Sequence, residues 1–178
     1  MHRTFTATLL LCLITLSAFA QEPLKPKQSP LDMRTYKFED GTYMKVIYSR
    51  PHKRGREVFG ELVPYDKIWR TGANQATELT ITGPVWFGEQ ALAAGTYTVF
   101  SIPQKDQWTL ILNGDLGQWG AFNYAQDQDV LRVTVPVVNT PESWEPFTID
   151  FEQFENHVDM VLIWDRTKVA VSISQQEQ

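Results

Sequence analysis

The residues best suited to chemistry lie in one segment of the chain, from Tyr48 to Glu78. Within it, cations are concentrated together with aromatic side chains: Arg50, Lys53, Arg54, Arg56, Arg70, Tyr48, Tyr65 and Trp69. The stretch from Arg50 to Arg56 has four full positive charges, one histidine and no acid among its seven residues. Such a run creates a positive field, and guanidinium groups bind carboxylate or phosphate through paired hydrogen bonds. We therefore take this segment as the candidate ligand-binding face.

The predicted site takes its polar contacts, aromatic walls and longer-range attraction from this segment. Its residues are Arg50, Arg56, Tyr48, Tyr65, Trp69, Arg70, Asn74 and Glu78. They suit a small anionic or carbohydrate ligand that is bound without catalysis. In a structural alternative, Arg56 and Arg70 pair with internal acids, Trp69 belongs to the core, and Asn74 bonds its own backbone.

A second candidate surface is the polar loop from Leu116 to Gln128. It contains Trp119, Phe122, Asn123 and Tyr124 among glycines and amides. Exposed aromatic rings of this kind stack on sugar rings while amides bond the hydroxyls. Alternatively, the same aromatic side chains fold down and cap the sandwich.

Two other function classes stay open. One is a hydrolase of envelope glycans or phosphoesters that uses an acid such as Glu61 or Glu78 beside the arginines. The other is a structural envelope protein whose arginine-bearing segment packs on a partner as a flat apolar patch. The pattern predicts no metal site and no cofactor, since His52 and His157 are far apart and lack an adjacent ligand pattern.

The N-terminus has the features of an export signal. Residues 1–20 contain Arg3, an apolar run from Leu9 to Leu16, and small residues before a predicted cleavage after Ala20. Residues 21–35, rich in proline and polar residues, are predicted to be a flexible linker. The sequence thus predicts a periplasmic or secreted protein without a transmembrane segment in its mature part.

Composition limits the partners and the covalent chemistry. The chain has 21 acidic and 16 basic residues, and this acidic balance argues against nucleic acid as a partner. The single cysteine, Cys12, lies in the predicted signal, so the mature protein has no disulfide and no thiol nucleophile. A domain of this size must therefore be held together by its apolar core.

The remaining chain predicts an all-β fold. Short runs of alternating apolar and polar residues are separated by Gly, Pro, Asn and Asp, and no long stretch has helical spacing. The clearest element is a hairpin of Thr96–Ile102 and Trp108–Asn113. We expect a single antiparallel β-sandwich or jelly-roll-like domain over residues 36–174 with few or no helices, followed by a polar tail over 175–178.

Several long motifs also resemble those of a known family. They are Ser49-Arg50-Pro51, the segment Gly55 to Tyr65, Trp69 to Asn74, Ala94 to Tyr97, and Trp108 to Asn113. With these motifs the chain closely resembles domain of unknown function 2911, a family of uncharacterised exported bacterial proteins, which more often has Gly where this chain has Asp66. The resemblance implies export and a β-rich domain, and it supplies no reaction, cofactor or catalytic residue.

Overall fold

Ten β-strands form the protein in the computed structural model, which describes residues 25–176. They are β1 (Leu31–Lys37), β2 (Tyr43–Ser49), β3 (Thr77–Ile81), β4 (Val85–Phe87), β5 (Gln90–Leu92), β6 (Gly95–Pro103), β7 (Gln107–Asn113), β8 (Asp129–Pro136), β9 (Val138–Gln153) and β10 (Val158–Gln175). The helical part of this region is one 3-10 turn at Gln126–Gln128, and no helix in it is long and apolar enough to cross a membrane. The predicted signal peptide lies outside the described residues.

The strands build two antiparallel sheets. One has six strands in the order β1-β2-β3-β6-β7-β8, and the other has four in the order β5-β4-β10-β9. Alternation in the sequence explains why each sheet has one buried face: along β2, Met44, Val46 and Tyr48 point inward, while Lys45 and Ile47 are only partly buried. The predicted all-β, antiparallel sandwich with few or no helices is confirmed.

The core lies between the two sheets and is rich in aromatic residues. Trp69 contacts four other rings, with centroid distances from 5.0 to 6.1 Å; they are Phe59, Trp108, Phe147 and Trp164. β7, β9 and β10 each contribute one of these rings. A smaller cluster of Ala76, Phe100 and Ile111, joined by Tyr124 and other partly buried side chains, covers the outer face of the six-stranded sheet.

Two strand boundaries differ from the sequence prediction. β1 begins at Leu31, inside the predicted linker, and pairs with β2 along its whole length. Its side chains are only partly buried or exposed, so it is an edge strand whose composition carries little hydrophobic signal. β9 is 16 residues long and includes residues 139–146, which do not alternate and whose pairing with β10 is interrupted by register shifts.

Tyr48 connects the two sheets by hydrogen bonds. Its phenolic oxygen on β2 accepts the Ile149 N–H at 2.9 Å and lies 3.3 Å from the Ile149 carbonyl oxygen on β9. Asp32 Oδ2 on β1 lies 3.2 Å from the same hydroxyl. Because the tyrosine is buried, its hydroxyl satisfies backbone groups that would otherwise lack a partner.

Replacing Tyr48 with Phe should lower the free energy of unfolding by about 1–3 kcal/mol, because the Ile149 N–H would lose its acceptor. Chemical denaturation at neutral pH measures this loss. Tyr43→Phe in the same strand is the matched control. Tyr43 is only partly buried, so this substitution should lower the free energy of unfolding much less.

The same variant has a pH signature. Burial raises the pKa of Tyr48 from 10.0 to about 12, because a phenolate would lose its solvation. A folded-state pKa above the unfolded value gives stability that is present below pH 10.0 and is lost as the pH rises through about 12. The difference in the free energy of unfolding between wild type and Tyr48→Phe should therefore become smaller between pH 10 and pH 12. A difference that stays constant over this range would contradict burial of the phenol.

Candidate functional site

The connection between β2 and β3, residues 50–76, carries most of the predicted site residues. Isolated antiparallel bridges fix it to both sheets: His52 pairs with Pro146, Trp69 with Ser101, and Gln75 with Trp119. Its backbone therefore follows a defined path over one end of the sandwich. Most of its cations contact the protein itself.

Arg50 is the cation with the most extensive set of partners. Its guanidinium donates to the Phe147 carbonyl at 3.2 Å and to Thr148 Oγ1 at 2.8 Å, and it lies 3.4 Å from Asp32 Oδ2. Phe147 and Thr148 belong to β9, whereas Arg50 directly follows β2. Arg50 therefore cross-links the two sheets beside the hydroxyl of Tyr48.

Lys53 and Arg56 are likewise engaged within the protein. The Lys53 ammonium lies 2.6 Å from Asp165 Oδ1 and donates to Ser143 Oγ at 3.0 Å. Burial alone would raise the pKa of Asp165, but the hydrogen bonds from Lys53 and Ser143 lower it. Arg56 donates to the carbonyls of Lys53 and His52, each at 2.8 Å. Arg56 thus closes its own turn and forms no ion pair with an acid among residues 25–176.

Arg70 differs from Arg50, Lys53 and Arg56. Its side chain is partly buried, its Nε has no hydrogen-bond partner, and no carboxylate pairs with it within the described region. Burial lowers the pKa of its guanidinium. Backbone alternation about the Trp69–Ser101 bridge places Arg70 on the outer face of the six-stranded sheet, because Trp69 points into the core.

The turn from Trp69 to Asn74 is held by backbone geometry. Thr71 has φ +52° and Asn74 φ +58°, a left-handed conformation that is costly for the β-branched Thr71. Thr71 is buried, its carbonyl accepts the Thr77 hydroxyl at 2.6 Å, and its own hydroxyl donates to Ser101 Oγ at 3.0 Å. Gly72 lets the chain pass the Ser49 carbonyl, from which an added Cβ would lie 3.0 Å. The motif therefore encodes a tightly packed turn.

A cavity of about 320 Å³ opens beside this turn, on the outer face of β1, β2 and β3. Its lining is Lys27, Ser29, Leu31, Ile47, Tyr48, Ser49, Gln75, Ala76, Glu78 and Gly117. Among the predicted site residues, Tyr48 and Glu78 line it, and the Asn74 amide borders it, 3.5 Å from the Ser29 carbonyl.

The other predicted site residues lie elsewhere. Arg50, Arg56, Tyr65, Trp69 and Arg70 are not in the cavity lining. Trp69 is 7% exposed within the core, and Tyr65 packs against the core with its ring next to Gly60. Of the predicted site residues, Glu78 therefore has its side chain in the cavity wall, whereas the Tyr48 side chain points into the core and bonds to β9.

Glu78 is the acid in the cavity lining. It pairs with Ile47 on β2 and Thr98 on β6, so its side chain lies on the outer face of the sheet. Its Oε1 accepts the Gly117 N–H at 3.0 Å, which fixes the carboxylate against the loop that follows β7. The second carboxylate oxygen accepts no hydrogen bond from any described residue and is able to accept one from a ligand hydroxyl.

The aromatic loop after β7 divides into two parts. Trp119 is 58% exposed and Phe122 is 84% exposed. The Trp119 backbone bridges to Gln75, which lines the cavity, and Gly117 of the same loop also lines it. Tyr124 instead packs on Phe100 at 5.1 Å and donates to Asp129 Oδ2 at 2.7 Å. The loop thus both caps the sheet and presents free aromatic surface, which combines the two alternatives drawn from the sequence.

Sequence reasoning missed the part of the cavity formed by Lys27, Ser29 and Leu31. These residues precede or begin β1, in a stretch that composition assigns to a linker. The available signal was Leu31-Asp32-Met33-Arg34-Thr35-Tyr36, which alternates in the manner of a strand. No group of three or more His, Cys, Asp or Glu residues suited to a metal ion occurs in residues 25–176.

Gly72→Ala should lower the free energy of unfolding by about 1–3 kcal/mol, because the new methyl group would press on the Ser49 carbonyl and Thr77 Oγ1. Gly114→Ala is the matched control, since its nearest neighbour would lie 3.7 Å away. Denaturant unfolding compares the two. Equal effects would show that the turn does not require close backbone approach.

Arg70→Met should leave the free energy of unfolding unchanged or raise it, because the variant removes a partly buried charge that has no ion-pair partner within residues 25–176. Arg50→Met should lower it by about 1–3 kcal/mol, since Thr148 and the Phe147 carbonyl lose their donors. Thermal and chemical unfolding of the pair test this contrast. A large loss in Arg70→Met would reveal a structural role for that guanidinium.

Comparison with known proteins gives one family. The family model described as "Protein of unknown function (DUF2911)" matches residues 29–173. No curated protein and no solved structure gives a significant match. The matched range spans β1 to β10 and agrees with the motifs noted in the sequence. The chain therefore belongs to the DUF2911 family.

Proposed function

We propose that the protein binds a small neutral carbohydrate, without catalysis, in the cavity beside Trp119. The observation that carries the proposal is an exposed tryptophan, Trp119, whose backbone bridges to the lining residue Gln75 of a cavity lined by an acid, an amide and hydroxyls. Aromatic faces stack on the C–H groups of sugar rings, and a few placed polar groups orient the hydroxyls. A cavity of about 320 Å³ is within the range of small-ligand sites.

The charge of the cavity favours a neutral ligand over an anionic one. Glu78 places a carboxylate in the wall, where it would repel an acidic group. Lys27 is the cation in the lining, while Arg50, Lys53 and Arg56 are bonded to protein groups away from the cavity. Hydroxyl groups of a neutral sugar suit an acceptor such as Glu78 better than a phosphate or carboxylate does.

The rival functions have less support. A glycosidase of the usual kind places two carboxyl groups about 5 to 9.5 Å apart on one cleft. Among the described residues that line this cavity, Glu78 is the one carboxylate. A concave lining also differs from the flat apolar patch expected of a structural protein that packs on a partner. Ligand binding by a pre-formed cavity is therefore the better account.

Export is part of the same proposal. Residues 1–20 have the charged start, apolar run and small residues of a secretory signal. A protein delivered to the periplasm or beyond the cell would meet envelope and extracellular glycans. The Trp119 surface would then be available to them.

Trp119→Ala should weaken binding of a neutral sugar about tenfold or more, since burial of an aromatic side chain contributes roughly 1.5–3 kcal/mol. A panel of neutral mono- and oligosaccharides, titrated calorimetrically into wild type, identifies the ligand. Trp86→Ala is the matched control, because Trp86 is an exposed tryptophan on β4 of the other sheet.

A second variant tests the charge argument. Glu78→Gln should weaken binding of the neutral sugar. It should also improve the affinity for the corresponding uronic acid relative to the neutral sugar, because the carboxylate that repels an acid is gone. The proposal fails if no neutral sugar binds wild type, or if Trp119→Ala binds it unchanged. Tighter binding of uronic acids than neutral sugars by wild type would instead point to an anionic ligand.

A further inference from the structure

A second cavity lies on the outer face of the four-stranded sheet, between β9 and β10, with a volume of about 340 Å³. The first cavity lies on the outer face of the other sheet, and the two share no lining residue. Neither the charge pattern nor the aromatic loop found in the sequence points to this second region. The second cavity is therefore a separate candidate site.

Two outward-facing residues of β10 form an apolar floor. Val161 and Ile163 alternate with core residues such as Leu162, so they point away from the sandwich core. They are nevertheless only 3% and 6% exposed, and they belong to neither core cluster. Something on the outer face therefore shields them from water.

The bulged half of β9 supplies that cover. Ile163 pairs with Thr148 and Asp165 pairs with Trp144, so β9 advances four residues where β10 advances two. A second register shift follows before Thr167 pairs with Asn139. Bulges of this kind bend a strand and redirect its side chains. Trp144, the paired residue between the two register shifts, is exposed and lines the cavity.

Acids predominate in the polar lining. Glu142, Asp150 and Glu152 line the cavity together with a single cation, Lys168, which lies 2.8 Å from Glu152 Oε2. Asp150 Oδ2 is 3.6 Å from the Arg34 guanidinium in an exposed pair, a contact of little strength. Glu142 has no ion-pair partner among residues 25–176. The lining thus retains negative charge above an apolar floor.

We propose that this cavity binds a small organic cation, an ammonium group attached to an apolar body. The apolar body would lie over the parts of Val161 and Ile163 that still line the cavity, and the ammonium would lie against the Trp144 ring and the carboxylates of Glu142 and Asp150. An aromatic face attracts a cation through its quadrupole, and nearby carboxylates add direct attraction. This arrangement is complementary in charge, and it is independent of the carbohydrate proposal.

The test compares two probes of nearly equal shape, 2-phenylethylammonium and 2-phenylethanol. Ligand-observed NMR and calorimetry on the wild-type protein should show the ammonium binding about fivefold or more tightly than the alcohol, with affinity falling at high salt. Trp144→Ala should weaken the ammonium about tenfold. Glu142→Gln, at an exposed position, should lower the affinity for the ammonium less than Trp144→Ala does, and it should make that affinity less sensitive to salt.

Trp119→Ala serves as the matched control and should leave ammonium binding unchanged, because Trp119 lies beside the other cavity. Circular dichroism verifies that each variant is folded. If Trp144→Ala does not fold, Glu142→Gln with Asp150→Asn provides the decisive loss. The proposal is overturned if the ammonium does not bind in the millimolar range, if the alcohol binds equally, or if neither set of variants weakens binding.

Discussion

The packing of Trp69 among aromatic rings from both sheets is the interaction on which the rest of the structure depends. Trp69 belongs to the long connection between β2 and β3, whereas Trp108, Phe147 and Trp164 come from three different strands. Its Nε1 donates to the Gly72 carbonyl at 3.0 Å, so the same side chain also closes the turn that follows. Aromatic pairs of this geometry contribute packing beyond their buried area. The connection is thereby part of the core, although it contains little regular structure.

This anchoring explains why the cations of the connection contact protein groups. Once Trp69 fixes the path of the backbone, Arg50 and Lys53 lie against β9 and β10, where Thr148 and Asp165 accept their hydrogen bonds. Partly buried cations require such partners because desolvation would otherwise oppose folding. The positive run in the sequence thus holds one end of the sandwich together. The cavity of about 320 Å³ lies where the start of β1 and the loop that follows β7 approach the turn from Trp69 to Asn74.

Much of the fold could be predicted from the sequence because its central strands alternate cleanly. The β6–β7 hairpin and the inward face of β2 follow from β-branched and aromatic spacing. β1 was not predicted because nearby prolines and polar residues suggest a linker. These residues nevertheless form a strand by pairing with β2 at the edge of the six-stranded sheet. The bulged half of β9 contains Pro141 and Pro146 and has no period of two, so local pattern gives no guide there.

The candidate site was harder to predict than the fold. Tyr48 and Glu78 were identified because they flank the charged segment, yet their roles depend on the register of β2 against β3. Which arginines are satisfied internally depends on acceptors about a hundred residues away, such as Thr148, and sequence proximity cannot reveal them. The exposed state of Trp119 and the partial burial of Tyr124, five residues apart, likewise follow from tertiary contacts that the loop composition does not encode.

The near-parallel stacking of Trp69 on Trp164, at 6.0 Å and 18°, has an optical consequence. Two indoles at this separation couple their electronic transitions, and when the two transition moments are skewed the coupling gives a paired positive and negative signal in ultraviolet circular dichroism. Trp69 lies on the connection and Trp164 on β10, so the couplet exists only while the connection is docked. The chain therefore carries an intrinsic spectroscopic reporter, without any label, for whether residues 50–76 are in place.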